Sequence, residues 1–119
     1  MALTAKTRRV GNVAIVDLNG KVTLGENTSI LRDELKSVLA QGHKNIVLNM
    51  ASVSYVDSAG LGELVGLYTT VANQGGSVKL LKPQGKMKDL MQVTKLHTVF
   101  DTFDDEQKAV SSFAAGASA

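Results

Sequence analysis

The chain has 119 residues, 44% of them hydrophobic and 20% charged, with one proline and no cysteine. That is globular composition with enough length to bury roughly two-thirds of the unfolded surface, so no metal or disulfide staple is required. The missing cysteines exclude a disulfide framework, thiolate zinc sites and cysteine nucleophiles. The net charge of +2 and an aromatic content of 4% give nucleic acid neither a strong field nor stacking platforms, and no nucleic-acid partner is expected.

In chain order, Leu3 to Arg9 and Asn12 to Leu18 flank Gly11 and read as a hairpin of β-type segments. Asn19-Gly20 breaks that pattern. From about Thr28 to Gln41, Leu31, Leu35, Val38 and Leu39 recur at helical spacing, and Gly42 closes the helix. Ile46-Val47-Leu48 is a continuous apolar run, as in a strand covered on both faces, and Ala51 to Gly60 reads as the loop leaving it. A second helical stripe runs through Leu61, Leu64, Val65, Tyr68, Val71 and Ala72 to Gly75-Gly76. Val78 to Leu81 is a strand stopped by Pro83. Met87, Leu90, Met91 and Thr94 form a third helical face, Val99-Phe100 reads as a short strand, and Asp105 to Phe113 as a closing helix.

The order β-β-α-β-α-β-α-β-α predicts an α/β layer with mostly parallel neighbours. Residues 1–113 are expected to form one domain, and the Ala/Gly/Ser-rich residues 114–119 a disordered tail. No apolar run approaches the ~20 residues of a membrane span, and the N-terminus has no signal-peptide pattern, so a cytoplasmic setting is expected.

Function in such sheets concentrates where strands end and helices begin. Here that step reads Tyr55-Val56-Asp57-Ser58-Ala59-Gly60-Leu61-Gly62. Asp57 or Ser58 supplies an N-cap oxygen for the helix. Gly60, Gly62 and Gly66 sit in an otherwise good helical stripe at a cost of up to ~1 kcal/mol each relative to alanine. Three such glycines point to close approach by the sheet or by another molecule. A hydroxyl in the first helical turn also lies at the positive end of the helix dipole, where an added phosphate is tolerated.

Catalytic motifs fail on spacing. Val56 stands where a nucleophile elbow needs a small residue two before the serine. Gly85-Lys86 is followed by Met87 instead of Ser or Thr, and Leu80 stands at the first glycine of a phosphate loop. Gly60-Leu61-Gly62 opens a dinucleotide pattern whose third glycine position is Val65. Neither His43 nor His97 has metal-ligand company. No enzyme activity, cofactor or metal is expected.

The run Val53 to Gly62, the turn Gln74-Gly75-Gly76 and the lysine-bearing strand after it resemble the STAS domain, and more narrowly the bacterial anti-sigma factor antagonists, over Val13 to Phe113. The resemblance implies a small mixed sheet with helices packed mainly on one face. It implies that Ser58 is phosphorylated by an anti-sigma factor that is itself a serine kinase. In that scheme the unphosphorylated protein binds the anti-sigma factor and frees sigma, and a metal-dependent serine phosphatase resets the modified form. The docking residues it implies are Gly20, Lys21 and Thr23 after the second strand, with Asp57, Ser58, Ala59, Gly60, Leu61, Gly62, Glu63 and Gly66 along the following loop and helix. Lys21 and Thr23 replace acidic residues found in many relatives, which shifts partner choice through local charge. Ala59 replaces a second hydroxyl and leaves Ser58 the acceptor. A subunit of a lipid- or anion-transport assembly at the membrane, docking through the same helix without phosphorylation, is the alternative.

Overall fold

The computed structural model describes residues 3–117. Gly11, at φ +61°, turns the chain between β1 (Thr4–Val10) and β2 (Val13–Val22). The closing pair is Val10 and Val13, so the loop has two residues with glycine first, as tight hairpins favour. Then follow α1 (Glu26–Ala40), β3 (Asn45–Val56), α2 (Ser58–Asn73), β4 (Ser77–Leu81), α3 (Lys86–Val93), a short 3-10 turn at Leu96–Thr98, β5 (Thr102–Phe103) and α4 (Glu106–Ala117). The five strands lie in the order β1-β2-β3-β4-β5, with β1 antiparallel to β2 and every other pair parallel.

This is the predicted mixed sheet, and its two faces explain the apolar runs. Ala14, Val16, Leu18 and Val22 of β2, with Ile46, Leu48 and Met50 of β3, face α1, α2 and α3 and form the main core with Leu31, Leu35, Leu64 and Val71. Their neighbours Val13, Ile15 and Val47 point the other way, to a smaller core with Leu81, Ala109 and Phe113 under α4. Burial on both faces is what removes the alternation from these strands.

Helices α1 and α2 end in the same way. The His43 N–H donates to the Val38 carbonyl and Gly42 N–H to Leu39; Gly76 N–H donates to Val71 and Gly75 N–H to Ala72. Gly42 and Gly75 hold the left-handed conformation this closure needs, at φ +90° and +83°. Gly76 has a second reason to be glycine: a Cβ there falls 2.4 Å from the Lys44 carbonyl oxygen. The Gln-Gly-Gly turn is thus fixed by packing at the foot of the sheet.

Four boundaries differ from the sequence reading. Asn19-Gly20 does not end β2, which continues to Val22 through register shifts on either side of Asn19 and Gly20. Nor does the loop begin at Ala51: β3 runs on to Val56, paired with Asn19 to Val22 of the extended β2. β4 pairs only with Asn45 to Asn49, so the upper half of β3 has a partner on one side and carries polar Ser52 and Ser54. Its composition resembles a loop while its backbone is ladder-bonded. The last strand is Thr102–Phe103, not Val99-Phe100. Phe100 is taken into the core instead, edge-on to Tyr68 with ring centroids 5.2 Å apart. The closing helix reaches Ala117, past Phe113, and of the expected tail residues 118–119 lie outside the described residues.

The opposite face of the sheet holds α4 by mixed contacts. Lys79 Nζ donates to Ser112 Oγ at 2.8 Å and lies 4.4 Å from the centroid of the Phe113 ring. Arg8 bridges Asp17 of β2, at 2.7 Å, and Glu106 of α4.

Candidate functional site

The strand-to-helix step is built around one carboxylate. Asp57 has extended backbone (φ −90°, ψ 179°) and is the N-cap of α2. Its Oδ1 accepts the Gly60 N–H at 2.7 Å, and its Oδ2 accepts the Leu24 N–H at 3.1 Å. Its own N–H donates to the Val22 carbonyl at 3.2 Å. Asp57 therefore ties the end of β2 and the loop after it to the start of α2. The Gly60 N–H first, and the Leu24 N–H second, hold its carboxyl below the usual carboxylate range, because both stabilise the anion.

With the cap supplied by Asp57, Ser58 is the first helical residue and is exposed. Its side chain makes no hydrogen bond among the described residues, so the hydroxyl is free for chemistry with an outside reagent. α2 is 16 residues long, and its positive end stabilises an anion by about 0.3–1 kcal/mol. Repulsion between a phosphate on Ser58 and the Asp57 carboxylate is of the same order in a water-exposed setting, about 1 kcal/mol per pair of unit charges at 4 Å. The dipole would offset part of that repulsion for a phosphate placed there.

The three glycines separate into two kinds. A Cβ on Gly60 falls 2.0 Å from the Val22 carbonyl oxygen, so α2 reaches the end of β2 only because that side chain is absent. Gly62 and Gly66 meet nothing within 4 Å and are exposed. With Ser58 they lie four residues apart on one face of α2, a bare strip leading away from the hydroxyl.

Beside Ser58 lies a groove of about 590 Å³ between the β3–α2 junction and α3, lined by Tyr55, Val56, Asp57, Ser58, Asp89, Leu90 and Val93. Leu24, on the tethered loop, is 77% exposed.

Residues 4–109 match the STAS domain. The chain is 30% identical over 101 residues to the anti-sigma-B factor antagonist of Bacillus subtilis, covering 85% of this chain and 91% of that protein. The chain belongs to the STAS domain family. Among solved structures, the anti-sigma factor antagonist from Mycobacterium paratuberculosis superimposes with a TM-score of 0.82 at 16% identity, over 93% of each chain. The Bacillus cell fate determinant SpoIIAA in its phosphorylated form superimposes with a TM-score of 0.72 at 20% identity, over 92% of this chain and 99% of that one. These likenesses establish the shared fold.

In this STAS domain the residues expected to dock a partner do converge, but not all of them reach the surface. Ser58, Gly62, Gly66 and Lys21 are exposed; Asp57, Ala59, Glu63 and Thr23 are half-buried. Gly20, Gly60 and Leu61 are buried and shape the surface from beneath. Glu63 is engaged within the fold, its carboxylate taking two hydrogen bonds from Arg32 of α1 at 2.7 and 3.2 Å. Thr23 Oγ1 accepts from Asn27 Nδ2 at 3.3 Å.

Sequence reasoning missed Leu24 and the α3 side of the groove. Both had a signal. Leu24 is a large apolar residue in the loop before α1 and outside its Leu31–Leu35–Val38 stripe, and Val93 lies off the Met87–Leu90–Met91 stripe of α3. An apolar residue outside any buried stripe is a candidate for another surface. Of the residues read as structural, Met87 and Met91 are buried, while Thr94 is exposed and donates from Oγ1 to the Leu90 carbonyl at 2.6 Å. His97 Nδ1 lies 3.2 Å from the Met91 carbonyl oxygen. Among the described residues no helix is long and apolar enough to cross a membrane.

Proposed function

We propose that this STAS domain is an anti-sigma factor antagonist acting in the cytoplasm, which docks a serine-kinase anti-sigma factor through the surface around Ser58 and is released when Ser58 is phosphorylated. The observation that carries the reading is the unengaged, exposed Ser58 hydroxyl on the first turn of α2, freed from capping by Asp57. The B. subtilis relative, an anti-sigma-B factor antagonist by name, supports the role, and the phosphorylated Bacillus protein supports the chemistry.

In the step proposed, Ser58 Oγ attacks the γ-phosphorus of the kinase's ATP. The Oγ–P bond forms, the bond from γ-phosphorus to the bridging oxygen breaks, ADP departs, and the hydroxyl proton passes to a base of the kinase. The product adds about −1.5 to −2 charges at neutral pH on an exposed helix end. A partner seated flush on Gly62 and Gly66 then has to desolvate a dianion beside Asp57, which opposes docking while α2 itself is undisturbed. A serine phosphatase removing the phosphate restores the docking form.

The test incubates the purified chain with each serine-kinase anti-sigma factor of the source cell and magnesium ATP, followed by mass mapping. Modification confined to Ser58 supports the proposal. An unmodified Ser58, together with stable binding to a transporter component, favours the transport-assembly alternative and overturns it.

A further inference from the structure

We infer that the groove between the β3–α2 junction and α3 is a second part of the docking surface, taking an apolar side chain of the anti-sigma factor that stands next to a lysine or arginine. The inference rests on the docking reading above and adds to it a new surface and a stated chemistry.

Its floor is apolar. Tyr55, Val56, Leu90 and Val93 supply it, and Tyr55 and Val93 are 41% and 81% exposed, so this fold leaves them in water. Val93 stands out on a helix of eight residues whose Met87 and Met91 already serve the core. Asp89, one turn before Val93, lines the same groove, so α3 presents one acidic side chain there beside the apolar Leu90 and Val93. Among the described residues Asp89 makes no ion pair, and no cation lines the groove. Asp57, the other carboxylate at the rim, is already committed to two backbone N–H groups.

These facts define the occupant. An apolar anchor is required to cover the floor, and at about 590 Å³ the groove holds such an anchor together with a neighbour. An approaching surface takes Asp89 out of water, which is costly unless a cation meets it, so the neighbour is a lysine or arginine. The occupant belongs to the same partner as the Ser58 surface because Ser58 forms one lip of the groove. A phosphate on Ser58 adds a third negative centre to Asp57 and Asp89 and spoils the apolar mouth. The groove thereby senses the modification directly.

The absence of cysteine makes the test clean. Val93→Cys and, separately, Lys21→Cys are labelled with a thiol-reactive photocrosslinker and irradiated with the purified serine-kinase anti-sigma factor of the source cell and magnesium ADP. The expected result is crosslinking from both positions, with the Val93 adduct on a partner segment that pairs an apolar residue with Lys or Arg. Asp89→Lys and Val93→Ser each weaken binding by about tenfold or more, with unchanged thermal midpoints, and Asp89→Lys flattens the salt dependence. Crosslinking from Lys21 alone, with both variants binding like the parent, overturns the groove and leaves the docking reading standing. No binding and no crosslink from either position overturns the docking reading, and the groove with it. A Val93 adduct between two copies of this chain assigns the groove to self-association and also overturns the inference.

Discussion

The Asp57 carboxylate and the Leu24 backbone N–H meet at 3.1 Å, although 33 residues separate them in sequence. The same side chain caps α2 through Gly60, so one ionised group positions both the β2–α1 loop and the Ser58 turn. The two segments proposed to dock a partner are therefore one mechanical unit.

Loss of that unit is measurable by acidification. The Asp57 carboxyl is held below its ordinary value of 3.8 by the Gly60 and Leu24 N–H groups. A depressed acid contributes stability that is fully present above the ordinary value and disappears as pH falls through the lower, folded one. The Leu24 and Gly60 amide resonances are expected to titrate together below pH 3.8, and Asp57→Asn is expected to abolish that titration. Asp57→Ala lowers the thermal midpoint at neutral pH by about 3–6 °C through loss of the cap. Independent titration of the two amides contradicts the shared anchor.

Gly60→Ala and Gly62→Ala are expected to move stability in opposite directions. Alanine gains up to ~1 kcal/mol of helix propensity at either site. At Gly60 its Cβ sits 2.0 Å from the Val22 oxygen, and forcing β2 and α2 apart costs about 1–3 kcal/mol, enough to make the net change unfavourable. At Gly62 nothing opposes the gain. Urea unfolding of both variants checks this, and equal behaviour contradicts the packing role given to Gly60. Gly62→Leu should remain folded yet lose binding to the anti-sigma factor, which separates a docking glycine from a structural one.

Ser58→Ala is expected to bind the anti-sigma factor as the parent does and to be insensitive to ATP. Ser58→Asp should fold normally and bind about tenfold or more weakly, a partial imitation because one carboxylate carries less charge than a phosphate. Calorimetry with the purified kinase measures both. Equal affinities place the switch elsewhere.

Acid should also loosen α4. Arg8 holds the carboxyls of Asp17 and Glu106 below their ordinary values of 3.8 and 4.5, chiefly through side-chain hydrogen bonds. Their contribution is present above that range and fades as pH falls below it. The side chains are 41%, 38% and 40% exposed, so solvent screening limits the Arg8 bridge to about 0.5–1 kcal/mol. Hydrogen exchange of α4 amides, corrected for intrinsic rates, should lose protection as pH falls below 4.5 and on through 3.8, and Arg8→Met should flatten that change. Protection should persist in part, because α4 is also held through the Lys79 contacts with Ser112 and Phe113.

Local chemistry was legible in the residues alone. Leu31, Leu35 and Val38 mark α1, Leu61, Leu64 and Val71 mark α2, and Gly42 and Gly75 mark their ends, because helical period and glycine closure act within four or five residues of chain. The short apolar run Ile46-Val47-Leu48 likewise announces a strand covered on both faces. With the order of elements known, the Ser58 hydroxyl falls at a helix start without any coordinates.

Distance in sequence set the limit. Whether Ser52 and Ser54 belong to a loop or to β3 depends on β2 accepting two register shifts some 30 residues earlier, and no local signal reports that partner. Whether Asp57 or Ser58 caps α2 was open until the Leu24 N–H was placed beside the carboxylate. Gly60 and Gly62 are indistinguishable as letters, and only the position of the Val22 oxygen makes one obligatory and the other bare. The groove required α3 to be laid against the end of β3 before Asp89 and Val93 had a function to share with Ser58. Periodicity and capping belong to neighbours along the chain; clearance, register and concavity belong to neighbours in space, and only folding chooses those.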